Sequence, residues 1–173
     1  MPDWEERRSD LGEITVLASA YHSKRQDFLD RCAKLDPVLS LIFGSTAFAS
    51  ALAGWPAVAA GAAVIVAGYS AINLSYGFAT CSMKHEALRR RWLALRSELL
   101  ALSAQDEQAL VVLEIKAEGI EADSPHQMRL LSALGEDDER LARGEEPLLD
   151  VGRFWRFVAN FVDLDWQRFR RAQ

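Results

Sequence analysis

Residues 37–83 read PVLSLIFGSTAFASALAGWPAVAAGAAVIVAGYSAINLSYGFATCSM and contain no Asp, Glu, Lys or Arg. The whole chain is 173 residues long and 26% charged, so an average window of this size holds roughly twelve charged residues. Charge has been cleared from the middle and collected in the flanks. An uncharged apolar block this long excludes disorder and requires either lipid or a thick protein shell around it. The rest of the chain is too short to supply that shell. A soluble bundle with a buried Ala-rich hairpin is the competing architecture, and its flanking helices would have to cover about 40 apolar residues.

The block divides itself into two membrane-crossing helices. Val38 to Gly54 forms the first span and Ala57 to Cys81 the second, about 26 Å and about 37 Å long at the helical rise. Gly54 suits the position just after a helix, Pro56 the first turn of the next one, and Trp55 a membrane-water interface. Lys24, Arg25, Arg31 and Lys34 precede the block, Lys84, Arg89, Arg90, Arg91 and Arg96 follow it, and the turn carries no charge. The positive-inside rule therefore places both termini in the cytoplasm.

The flanks extend these helices. Leu11, Ile14, Ala18, Tyr21, Phe28, Cys32 and Leu35 form a heptad seam before the first span. Leu88, Trp92, Leu95, Leu99 and Leu102 form one after the second, so the two extensions are expected to pair as an antiparallel coiled stalk. Counting outward from the turn puts Cys32 and Cys81 at the same depth, as free buried thiols in a reducing compartment. Ser103 with Asp106 opens a helix running to Ala122, with Leu110, Leu113, Ala117 and Ile120 on one face. Ser124, Pro125 and Gln127 resemble the N-cap, N1 and N3 of a short helix ended by Gly135. Residues 136–149 read as an acidic linker. Asp150 to Arg171 reads as an amphipathic helix, with Val151, Trp155, Val158, Val162, Trp166 and Phe169 on one face and arginines on the other. Trp155, Trp166 and Phe169, with Trp55 at the turn, are the candidate membrane-interface residues. Packing of that last helix against the stalk or a neighbouring subunit fits its pattern equally.

No catalytic, metal or cofactor constellation is present. His22, His85 and His126 lie on separate segments, and there is no H-E-x-x-H, C-x-x-C, P-loop or dinucleotide fingerprint. The net charge of -5, without a basic-aromatic stripe, argues against nucleic acid as a partner. The amino terminus is acidic and reads as no signal peptide. Within the spans, Ser40, Gly44, Ala47, Ala51 and Gly54 recur at steps of four and three, as do Ala57, Gly61, Val64, Gly68, Ala71 and Ser75, and such faces permit close helix packing. Val58, Ile65, Tyr69, Ile72 and Tyr76 form a bulky row suited to lipid or a neighbouring subunit. Ser70, Asn73 and Gly77 form the polar strip. It either lines a water-filled path or pins two helices together through the Asn73 amide. Two helices enclose no lumen, so conduction requires several hairpins around an axis.

The stretch from Tyr21 to Arg31 (YHSKRQDFLDR), Phe43-Gly44-Ser45 within the hairpin, Ala71 to Phe78 (AINLSYGF) followed by Lys84-His85, and Ile120 to Pro125 (IEADSP) together resemble the SLATT family of two-transmembrane bacterial proteins. The match covers about residues 15–134. It implies a membrane effector of bacterial conflict or antiphage systems that forms pores when a nucleotide-sensing partner fires. No sensor domain is fused here, which points to a separately encoded one.

The expected architecture is an all-α membrane protein, a two-transmembrane hairpin with cytoplasmic stalk extensions and a C-terminal amphipathic helix. Its expected parts are 1–36 (cytoplasmic helix), 37–83 (hairpin), 84–135 (stalk and short helices), 136–149 (linker) and 150–173 (aromatic helix). The expected function is non-enzymatic and cofactor-free: a homo-oligomeric inner-membrane pore or membrane-perturbing effector. A holin-like phage protein and a non-conducting scaffold share this topology.

Overall fold

A computed structural model describes residues 3–102 and 106–170. They form α1 (Trp4–Leu52), α2 (Pro56–Tyr76), α3 (Phe78–Ala101), α4 (Glu107–Asp123), α5 (Arg129–Ala142) and α6 (Arg153–Val158), with a 3-10 turn at Trp166–Phe169. The chain is all-α, and its one β-type pairing among the described residues is an isolated antiparallel bridge between Leu149 and Arg170. It divides into two compact units, residues 26–85 and residues 1–25 with 86–173.

The first of these units is the apolar hairpin. Gly54 ends α1 in the left-handed region, with φ 75°. The Trp55 N–H donates to the Ser50 carbonyl at 2.8 Å and the Gly54 N–H to that of Ala51 at 3.2 Å, the paired bonds of a Schellman motif. Pro56 starts α2 where its missing N–H costs nothing. α1 and the α2–α3 run are each long and apolar enough to cross a membrane, yet only 6% of either apolar window is buried. Leu41, Phe48, Val64 and Leu74 are among the apolar side chains left at the surface. Pro37 lies inside α1, where it can donate no bond to the carbonyl four residues earlier.

The second unit is built on three helices. Trp4, Leu11 and Ala18 of α1, Leu88, Trp92, Leu95 and Leu99 of α3, and Leu110, Leu113, Ala117 and Ile120 of α4 form one core, with Leu102 packed at its edge. The expected pairing of two seams therefore holds in part, with α4 completing it. A third helix demands a wider inward stripe on α1 than a two-stranded seam does. Ile14 is accordingly exposed, and Thr15 and His22 are fully buried instead. The Thr15 hydroxyl is satisfied locally, donating to the Gly12 carbonyl at 2.7 Å. Arg7 ties α1 to α4 through a two-pronged contact with Glu114, at 2.9 and 2.5 Å, and a bond to Glu107. These carboxylates raise its already high pKa.

Several local expectations are corrected. α4 is capped by Asp106, whose carboxylate accepts from the Ala109 N–H at 2.9 Å; Ser103 lies outside the described residues. Ser124 ends α4 instead of starting a helix, because its hydroxyl donates back to the Ile120 carbonyl at 2.9 Å and the following proline holds it extended. α5 begins only at Arg129 and runs through Gly135 to Ala142, so residues 136–142 are helix and not linker. Gly144, with φ 79°, is the true terminator: the Glu145 N–H donates to Arg140 and the Gly144 N–H to Leu141, both at 3.0 Å.

The long final helix is also absent. α6 spans six residues, and the chain then turns back so that Leu149, Val151, Ala159, Leu164, Trp166 and Phe169 pack on Leu130 and Leu134 of α5. Trp166 and Phe169 are half-buried in this packing, while Trp155 stays 44% exposed. Arg129 holds this return, donating through its N–H and Nε to Asp163 at 2.8 and 3.0 Å. Asp137, 2% exposed, accepts from the Leu148 N–H at 2.5 Å. Asp137→Ala orphans that buried donor and is expected to cost about 1–3 kcal/mol, read as faster amide exchange at Leu148 to Val151 with α4 unchanged.

Candidate functional site

Asp36, Ser50, Tyr69, Ser70 and Asn73 lie on the inner seam of the hairpin. The least exposed positions of α1 there are Cys32, Asp36, Leu39, Phe43, Ala47 and Ser50, and those of α2 are Ala59, Ala62, Val66, Tyr69, Ser70 and Asn73. Both sets advance mostly by three and four residues, as helices packed along a shared stripe do. Two cross-helix bonds pin them. The Ser70 hydroxyl donates to Asp36 Oδ1 at 2.8 Å, and the Tyr69 hydroxyl donates to the Cys32 carbonyl at 2.5 Å.

Asp36 was not among the sequence candidates, because it sits one residue before the uncharged block and looks like ordinary flanking charge. The signal that exposes it is spacing: Cys32, Asp36 and Leu39 continue the seam, whereas Leu35, the expected seam residue, is 45% exposed. Of the predicted polar strip, Ser70 is engaged by Asp36 and Asn73 is half-buried one turn further along. Gly77 is a helix end: it takes φ 59° and donates its N–H to the Asn73 carbonyl at 2.8 Å. Beyond it Phe78, Leu29 and Cys32 form a small core with Cys81 packed against it, so the two thiols share one cluster, as their register implied, and neither is in a disulfide.

The small-residue faces lie elsewhere than expected. Ser40, Gly44, Ala51, Gly61, Gly68, Ala71 and Ser75 are exposed, and only Ala47 is half-buried. A Cβ added at Gly44, Gly61 or Gly68 meets nothing within 4 Å. Apart from Ala47, these small residues therefore do not lie between the two spans of one hairpin. Ser50, whose carbonyl accepts in the Schellman turn, is buried, and the glycine rows lie at the surface. Of the bulky row, Val58, Ile65, Ile72 and Tyr76 are exposed, while Tyr69 is drawn into the seam by its bond to Cys32.

A polar seam inside an apolar exterior can hold two helices in register where the surroundings offer no water, since the Tyr69 and Ser70 hydroxyls find their partners within the hairpin. The described residues include no group of three or more His, Cys, Asp or Glu arranged to hold a metal ion. A groove of about 430 Å³ between α1, α4 and α5 is lined by Ile14, Leu17, Tyr21, Trp92 and Ala117, with Glu118, Glu121 and Glu136 around it. No protein-family model, curated protein or solved structure matches the chain.

Proposed function

We propose that the chain is a self-associating effector of the bacterial inner membrane, inserted through its hairpin with both termini cytoplasmic, which forms a pore or otherwise perturbs the bilayer under control of its cytoplasmic helices. The observation that carries this is the 6% burial of two apolar windows: the core helix of a soluble protein is covered by its own chain, and these are not. Lipid is the solvent that makes such a surface stable. The basic residues flanking the block support the orientation. The resemblance to SLATT proteins supports the effector role and a separately encoded sensor as partner.

Self-association is supported by the outward glycine rows. A second hairpin can approach Gly61 and Gly68 closely, where dispersion contacts do the work that hydrophobicity cannot do in lipid. Gly68→Leu is therefore expected to leave the hairpin folded and to weaken the oligomer several-fold, read by native mass spectrometry from detergent. An unchanged oligomer removes Gly68 from the interface.

Cysteine labelling tests the insertion. A probe at Trp55→Cys is expected to react from the periplasmic side and one at Gln173→Cys only after the inner membrane is opened. The reverse pattern, or extraction as a monodisperse protein without detergent, overturns the proposal. Planar-bilayer recording separates the roles: triggered current supports the pore, and well-folded oligomers that never conduct or leak favour the scaffold.

A further inference from the structure

The turn-back of the C-terminal segment leaves one apolar face uncovered. Phe154 is 69% exposed, Trp155 44%, Phe157 57%, Phe161 37% and Val162 51%. The rings are contiguous in pairs, Phe154 with Trp155 at 5.4 Å between centroids and Phe157 with Phe161 at 5.3 Å. This face is a platform and not a loose tail. Arg25 Nη1 donates to the Asn160 carbonyl at 2.8 Å, Asn160 Nδ2 donates to the Arg156 carbonyl at 2.9 Å, and Ala159 beneath is completely buried.

Its chemistry selects an occupant. Across residues 153–162 the charged side chains are Arg153 and Arg156 and no acid is present, in a chain whose net charge is -5. Both arginines are exposed, and neither forms an ion pair among the described residues. Exposed Phe and Trp beside unopposed Arg match the interfacial zone of an anionic leaflet, where rings enter the headgroup boundary and guanidinium groups meet phosphate. Covalent connection adds to this. Arg25, which holds Asn160, is separated from Pro37 by about a dozen residues, at most about 40 Å of chain even if fully extended. A tether that short gives the bilayer a far higher local concentration at this face than a soluble partner has.

We infer that the face formed by Phe154, Trp155, Phe157, Phe161 and Val162, with Arg153 and Arg156, docks on the anionic cytoplasmic leaflet of the same membrane that holds the hairpin. This rests on the membrane insertion proposed above. The docked face gives the protein a second contact with lipid, dependent on headgroup charge and on salt, through which leaflet composition acts on the cytoplasmic helices.

The test uses the full chain, with Cys32→Ala and Cys81→Ala, in nanodiscs of phosphatidylcholine with and without phosphatidylglycerol. An environment-sensitive dye is attached at Phe157→Cys, at Phe154→Cys as a second site, and at Ile65→Cys in the hairpin as the insertion control. The expected result is that, with phosphatidylglycerol present, dye at 154 and 157 is quenched by doxyl-labelled lipid and shielded from aqueous iodide. Replacing Arg153 or Arg156 by Gln then lowers the ratio of docked to undocked protein about fivefold each, and high salt lowers it further. Iodide quenching at 154 and 157 with lipid quenching at 65 overturns the docking and leaves the insertion standing. Shielding from both quenchers at 154 and 157 shows a protein surface over the face and overturns it too. Iodide quenching at all three sites removes the insertion, and the docking with it.

Discussion

Trp92→Ala lowers the stability of the unit built on α1, α3 and α4 by about 3–5 kcal/mol, the range for emptying a large aromatic site from a packed core. Trp92 is the largest fully buried side chain, 1% exposed, and belongs to the core shared by those three helices. Its removal leaves a cavity that rigid helices close only in part, so lost dispersion contacts add to lost apolar burial. The indole Nε1–H has no hydrogen-bond partner among the described residues, so Trp92→Phe is expected to cost less than half as much. Amide exchange along α3 and α4 reads the opening free energy directly. Leu100→Ala, at a position 69% exposed, provides the comparison and stays within about 0.5 kcal/mol of the parent. Equal effects at 92 and 100 would place the core elsewhere.

Trp92 was legible in the sequence because its heptad neighbours repeat without interruption, and the same holds for Leu110, Leu113, Ala117 and Ile120 on α4. The hairpin turn was legible for a different reason: Gly54, Trp55 and Pro56 each have few conformational or environmental alternatives. What failed were inferences that depend on which face meets which. Thr15 and His22 displace Ile14 from the core because α4 packs as a third helix, and nothing local to α1 announces a third helix. The glycine rows of the hairpin are periodic whether they face the partner span or the surface, and periodicity alone does not distinguish the two. Gly135 reads as a stop in the sequence, glycine usually weakening a helix by about 1 kcal/mol relative to alanine. Packing of the neighbouring Leu130 and Leu134 in the α5 core carries the helix past it, and Gly144 does the stopping. The C-terminal segment failed for a related reason. A helical pattern of aromatics over residues 150–171 is also satisfied by a short helix and a returning 3-10 turn that pack Trp166 and Phe169 with Leu130, and the Arg129–Asp163 contact holds that return. Of the candidate site, Ser70 and Asn73 were found by polarity within an apolar block, whereas Asp36 was hidden by its position at the edge.

The burial of His22 has a consequence for pH. Its side chain is fully buried, with the Tyr21 ring edge-on at 5.3 Å, and desolvation lowers its pKa from 6.5 to about 4. The unfolded chain takes up a proton near pH 6.5, and the folded unit refuses it until near pH 4. Below 6.5 the unfolded state therefore binds more protons than the native one, so stability falls with falling pH across that window and is full above it. The separation of the two values corresponds to about 3 kcal/mol lost by pH 4. Asp163 acts in the same direction but later. The Arg129 backbone N–H, with the Arg129 side chain, holds its carboxyl below the ordinary 3.8, so its contribution disappears only beneath the His22 window. Amide exchange of Leu88 to Leu99, corrected for intrinsic rates, is expected to show the opening free energy dropping between pH 6.5 and pH 4. In His22→Gln, which cannot titrate there, the same curve flattens, leaving that variant less pH-sensitive than the parent even where its stability at pH 7 is lower. A parent curve as flat as that of the variant would mean that the ring at position 22 reaches water in the folded protein.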